Sequence, residues 1–232
     1  MHRNLTEMKN AMWIVLLFCG QVLTAQNILL NKVEKTHTNQ DKVLYKIDPE
    51  AAAAEYLGEI EVQGFSDNDV EVFGKIYAKA KQIGANAFAV KPFESVEGGA
   101  QPFDPAHYRL SLSYLPFADF PPENNAVYLI ASPHNRQSVA FNKETIVFEP
   151  RTFIRRELLP GTVYTVSTKK FLGSSIRLSA QENQPVQYFQ FSAFSVNSNP
   201  YGTAGINLKS GDITRLEQSY AQFLTAIYRQ LE

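Results

Sequence analysis

Between Tyr56 and Phe65 (YLGEIEVQGF) apolar and polar positions alternate, with Ile60 and Val62 on one side and Glu59, Glu61 and Gln63 on the other. That two-residue period predicts a half-buried strand. The period then lengthens: Val70, Phe73, Ile76, Tyr77, Ala80 and Ile83 recur every three or four positions and so share one helix face. Ser66, Asp67 or Asp69 stands where a cap is needed, and Gly84 where a left-handed residue ends the helix. Ala87 to Val90 (AFAV) predicts a short apolar strand. After a Gly/Pro-rich loop, 97–106, the alternation of Tyr108 to Leu115 (YRLSLSYL) predicts another. Strand, amphipathic helix and strand make a right-handed βαβ unit. Ahead of it, Val43 to Ile47 predicts a short edge strand, and Pro49 to Ala54 one helical turn opened by proline. Residues 27–41 have no period beyond Ile28, Leu29 and Leu30 and read as an arm.

Residues 116–125 (PFADFPPENN) lack a period and are rich in proline, which sets a boundary near Pro121. Beyond it strand-like runs follow closely: 126–131, 138–141, 145–148, 152–157, 163–168, 175–180 and 186–194. Asn142-Lys143, Leu159-Pro160-Gly161 and Asn183-Gln184-Pro185 separate them as turns, a spacing that predicts an antiparallel sandwich or small barrel. Residues 197–211 read as a loop. A helix is expected from Asp212 to Leu231, with Ile213, Leu216, Tyr220, Phe223, Leu224 and Ile227 on one face. The fold class is therefore α+β. The expected organisation is a signal peptide (1–25), an arm (26–42), a βαβ-type domain with an added strand (43–120), and a β-sandwich-like domain with a C-terminal helix (121–232).

The signal-peptide expectation rests on the start of the chain. A weakly basic segment precedes the apolar run 11–20 (AMWIVLLFCG), which is too short to span a bilayer, and Ala25-Gln26 suits cleavage. Phe18 before Cys19 departs from a lipobox, so membrane association is expected only if Cys19 is lipidated. Cleavage after Ala25 would leave no cysteine, hence no disulfide or thiolate chemistry. It would also leave 20 basic and 22 acidic residues, a net charge of −2 with no polybasic run, which gives no case for nucleic acid.

The stretch from Gly58 to Val90, in which an alanine-containing helix runs into Gly84-Ala85-Asn86-Ala87, resembles the YbjQ-like and Rcs-sensor-lipoprotein βαβ family. The resemblance implies a βαβ fold and an envelope setting. The paired cysteines of the Rcs sensors have no counterpart here, so redox signalling does not carry over. Residues 126–194, with Leu159-Pro160-Gly161 and Gln187-Tyr188-Phe189, resemble small envelope β-domains of unknown function.

Signatures of catalysis are missing. His37, His107 and His134 have no metal-ligand spacing, and no P-loop, dinucleotide motif or nucleophile elbow is present. Glu59 and Glu61 share a strand's polar face, where solvation is the expected role. Asp104, His107 and Ser132 make a triad only on paper. The candidate binding surface is Tyr108, Tyr114, Phe117 and Phe120 near the junction, together with Arg151 and Arg155. The arginines lie with Arg156 on one segment flanked by Glu149 and Glu157, which suggests local neutralisation. Those aromatic residues would make a stacking platform for glycans, but an interdomain core explains them more readily. The expectation is an exported, non-enzymatic interaction module of the periplasm or outer cell surface, without cofactor or metal, whose partner is another envelope protein. A small-molecule or glycan binder and a hydrolase with an unrecognised site are the alternatives.

Overall fold

The computed structural model describes residues 26–51, 53–95, 99–169, 173–191, 208–210 and 212–232, so the expected signal peptide and Cys19 lie outside the described residues. Among the described residues the protein is mostly β, with two α-helices and several sheets. Its first sheet contains β1 (Asn27–Val33), β2 (Tyr45–Lys46), β3 (Glu55–Gln63), β4 (Ala87–Lys91) and β5 (His107–Tyr114), in the order β1-β3-β5-β4-β2. Strand β5 lies between β3 and β4 and is antiparallel to both. The two strands joined by helix α1 (Asp69–Gln82) therefore run parallel with an inserted strand between them.

The segment expected as an arm is instead strand β1, paired antiparallel with β3 from Asn27 opposite Gln63 to Val33 opposite Gly58. Its alternation is masked because only Ile28 is buried and the register slips between Leu30 and Lys32. Gly58 permits that close approach: a Cβ there would stand 2.2 Å from the Lys32 carbonyl oxygen.

Helix α1 is capped by Asn68 rather than by Ser66, Asp67 or Asp69. The Asn68 side chain accepts from the Glu71 N–H at 3.2 Å, and Asp69 enters the first turn, buried. Gly84 follows the helix with φ +78°, and a Cβ on it would meet the His37 carbonyl oxygen at 1.8 Å. That conformation lets the 35–41 segment run against the helix end, where the His37 N–H donates to the Ile83 carbonyl.

The second half supplies β6 (Ala126–Ile130), β7 (Gln137–Phe141), β8 (Glu144–Phe148), β9 (Thr152–Glu157), β10 (Val163–Thr168), β11 (Ser175–Ser179) and β12 (Gln187–Phe191). Strands β11-β10-β7-β8 make an antiparallel four-stranded sheet. A six-stranded sheet runs β13-β14-β12-β6-β9-β15, completed by β13 (Leu208–Ser210), β14 (Ile213–Arg215) and β15 (Arg229–Gln230). It is mixed rather than antiparallel: β12 runs parallel to β6, and β15 to β9. Parallel neighbours need a long crossover, and the segment carrying β7 to β11 is the crossover from β6 to β12.

The expected helix from Asp212 to Leu231 is shorter. Helix α2 spans Gln218–Ile227, because Glu217 accepts from the N–H groups of Ser219 and Tyr220 at 2.9 and 3.1 Å and starts the helix there. Ile213 and Thr214 on one side and Arg229 on the other extend the six-stranded sheet. Of the expected loop 197–211, the described residues are Leu208–Ser210, a strand.

Strands β12, β6 and β9 of the six-stranded sheet carry buried residues on both faces. Val127, Leu129, Ile154, Phe189 and Phe191 pack against the four-stranded sheet. Ala126, Ile130, Phe153 and Tyr188 belong to a second cluster that takes in both helices and Leu57, Ile60, Leu110 and Leu112 of the first sheet. That cluster crosses the segment around Pro121 without a break.

Candidate functional site

Where the first sheet, α2 and the 116–125 segment meet, an open cleft of about 270 Å³ is lined by Tyr45, Lys46, Phe117, Phe120, Glu123 and Gln222, with proline residues 121, 122 and 185 at its sides. Each element reaches it for a local reason. Strand β2 is held at the sheet edge by α2, since the Leu44 N–H donates to Ser219 Oγ (3.2 Å) and the Lys46 N–H to Gln222 Oε1 (2.9 Å). A single 3₁₀ turn, Phe117–Asp119, follows Pro116 and presents Phe117 with 69% of its surface exposed. The ring of Phe120 meets Tyr45 edge-on, centroids 5.3 Å apart.

The polar groups of the cleft divide into two sets. Glu123 is held: it accepts from Arg155 Nε at 2.8 Å and from the Tyr128 hydroxyl at 3.0 Å. Burial and the Glu123 charge push the Tyr128 hydroxyl up to about 12. Gln222 is also held, through the Lys46 N–H and the Tyr188 hydroxyl. Lys46, by contrast, forms no ion pair among the described residues. Its ammonium is pulled below the ordinary lysine range by loss of solvent, which the more distant Glu123 charge only partly offsets.

Two other constellations stand apart from the cleft. On the outer face of the first sheet Glu59 is buried, at 7% exposure, rather than solvated as its strand position suggested. It accepts from Lys91 Nζ and from the Tyr56 hydroxyl (2.8 Å), with Arg109 at 4.0 Å. Burial alone would raise its carboxyl, but those hydrogen bonds and charges outweigh it and hold Glu59 below the usual range. Glu61 beside it bonds His107 Nε2 at 2.7 Å. Both carboxylates are thus paired, whereas Arg109 Nε is buried without a hydrogen-bond partner among the described residues.

The third constellation joins the two halves of the chain. Asp69, 4% exposed, pairs with Arg151 at 2.9 Å and accepts from the Tyr228 hydroxyl at 2.6 Å. Burial raises the Asp69 carboxyl above its ordinary range, which Arg151 and Tyr228 only partly reverse. Arg151 also donates to the Ser66 carbonyl and covers the rings of Phe65 and Tyr228.

The six residues singled out from sequence are thus dispersed. Phe117 and Phe120 line the cleft and Arg155 braces its wall through Glu123. Tyr108 is buried in the core, where loss of solvent raises its hydroxyl. Tyr114 stacks on His37 with ring centroids 3.6 Å apart. Arg151 belongs to the Asp69 pair. The flanking glutamate Glu149 pairs instead with Arg136, and Arg156 reaches Glu144. Tyr45, Lys46 and Gln222 escaped sequence reasoning, although Tyr45 and Lys46 carry the visible signal of an aromatic beside a cation on a short edge strand.

Comparison of the chain with protein-family models, with curated proteins and with solved structures gives no match. Among the described residues no helix is long and apolar enough to cross a membrane. No group of three or more His, Cys, Asp or Glu is gathered there that could hold a metal ion.

Proposed function

We propose that the chain is an exported, non-enzymatic binding protein of the bacterial envelope, and that it binds through the junction cleft. The observation that carries this reading is Phe117, a large ring held out in solvent beside Phe120 and Tyr45 over a concave, partly polar floor. Export rests on the apolar run 11–20 followed by Ala25-Gln26, and the envelope setting on the resemblance of the Gly58 to Val90 stretch. We read the first sheet with α1 as a βαβ-type domain, and the two later sheets as a sandwich-like domain finished by α2. Of the two kinds of partner expected from sequence, the cleft favours a small molecule or glycan over another envelope protein. About 270 Å³ accommodates a ring-sized group, whereas a stable protein interface needs about 800 Å² on each partner.

Retention of ligand from an envelope extract tests the reading. Wild-type protein incubated with the extract, desalted and examined by native mass spectrometry is expected to carry a small molecule that the double variant Phe117→Ala, Phe120→Ala does not. Equal retention by both proteins, or none by either, overturns it.

A further inference from the structure

We propose that the junction cleft takes an acidic sugar, a single pyranose-sized ring bearing a carboxylate, with Lys46 meeting the carboxylate and Phe117 and Phe120 meeting the ring. This rests on the binding role assigned to the cleft above and names its ligand class.

Among the described residues the only acidic side chain lining the cleft is Glu123, and Arg155 and Tyr128 already occupy it at 2.8 and 3.0 Å. Lys46 lines the same cleft, is exposed there and forms no ion pair among the described residues. An ammonium without a direct counter-ion at the side of a concave aromatic site is free to meet an incoming anion through a charge-assisted hydrogen bond.

The shape and lining of the cleft narrow the anion. Phosphate or acetate alone would leave the exposed Phe117 ring and the edge-on pair of Phe120 and Tyr45 without a partner. Aromatic faces carry negative charge density and attract the slightly positive C–H face of a saturated ring, which a pyranose presents and a linear carboxylate does not. Gln218 and Asn124 also line the cleft, and their amides suit ring hydroxyl groups, since an amide both donates and accepts. The volume, about 270 Å³, suits one ring.

Isothermal titration of the purified protein with D-glucuronate, with D-glucose and with acetate tests this. Glucuronate is expected to bind at least about tenfold more tightly than either, the difference a charge-assisted hydrogen bond supplies. Lys46→Gln is expected to remove that preference while thermal melting stays unchanged, because the hydrogen bond from Lys46 to α2 is made by its backbone N–H. Phe117→Ala is expected to weaken glucuronate about tenfold. If glucose matches glucuronate, or Lys46→Gln binds as wild type does, the inference fails. If no sugar binds while the extract ligand is still retained through Phe117 and Phe120, the acidic-sugar assignment fails and the binding role of the cleft stands. If neither is seen, both fail.

Discussion

Phe73 has no exposed surface, and its ring meets Tyr77 on its own helix and Tyr220 and Phe223 on α2, with centroids 5.3 to 6.0 Å apart. Truncation to Ala leaves a void that three other rings cannot close, so Phe73→Ala is expected to cost about 3–5 kcal/mol. Lys75, about 200° around the helix, reaches only Glu71 in an exposed pair. Lys75→Ala is expected to stay within about 0.5 kcal/mol of wild type. Urea melts of the two variants decide it, and equal shifts would mean that the buried face of α1 is wrongly assigned. The face of Phe73 was legible from spacing alone because helical periodicity is local. The role of Asn86 was not. It sits in the Gly84-Ala85-Asn86 element as if to bond freed helix carbonyls, yet its side chain accepts from the Leu115 N–H and donates to Leu115 and Asp41. Nothing in the neighbouring sequence marks a partner 29 residues away.

At the scale of elements, α1 carries two carboxylate contacts of opposite sign. Asp69 in its first turn is raised by burial, so through the interval from its native value down to about 3.8 the folded chain binds a proton more readily than the unfolded one. Wild type should therefore gain stability relative to Asp69→Asn as pH falls through that interval. Asp41, beside the helix end, is held lower: burial raises it, but Lys81, Asn86 and Asn39 outweigh this. Its contribution is complete above about 3.8 and is lost as pH falls through the depressed native value. Unfolding free energies of Asp69→Asn and Asp41→Asn across the acid range should then diverge from wild type in opposite directions. Parallel curves would refute the assignment. Elements themselves were readable where burial follows one period, as in β5 and α1. They were misread where it does not: β1 buries a single residue, and Ile213 and Leu216, at helical spacing, fall on either side of a strand end.

At the scale of the molecule, one apolar cluster joins the first sheet, both helices and the six-stranded sheet, and the Asp69–Arg151–Tyr228 bonds cross the same junction. A shared core of this extent couples the halves, so amides of α1 and of β6 are expected to exchange with the same opening free energy in native-state hydrogen exchange. Two separate plateaus would show the halves opening independently. Two of the residues lining the cleft were legible, since Phe117 and Phe120 stand in a proline-rich segment without a strand or α-helix. Tyr45, Lys46 and Gln222 were not, because the cleft exists only once α2 docks on β2.

That docking has a kinetic side. The edge of β2 is closed by Ser219 and Gln222, 175 and 176 residues further along the chain, so the sheet's unpaired backbone is covered by the most distant part of the sequence. Contacts of such separation form late, and a chain threaded out from its N-terminus carries an open strand edge until its last residues arrive. The interval before α2 docks is when two copies are most apt to pair edge to edge, and a holding chaperone would act there.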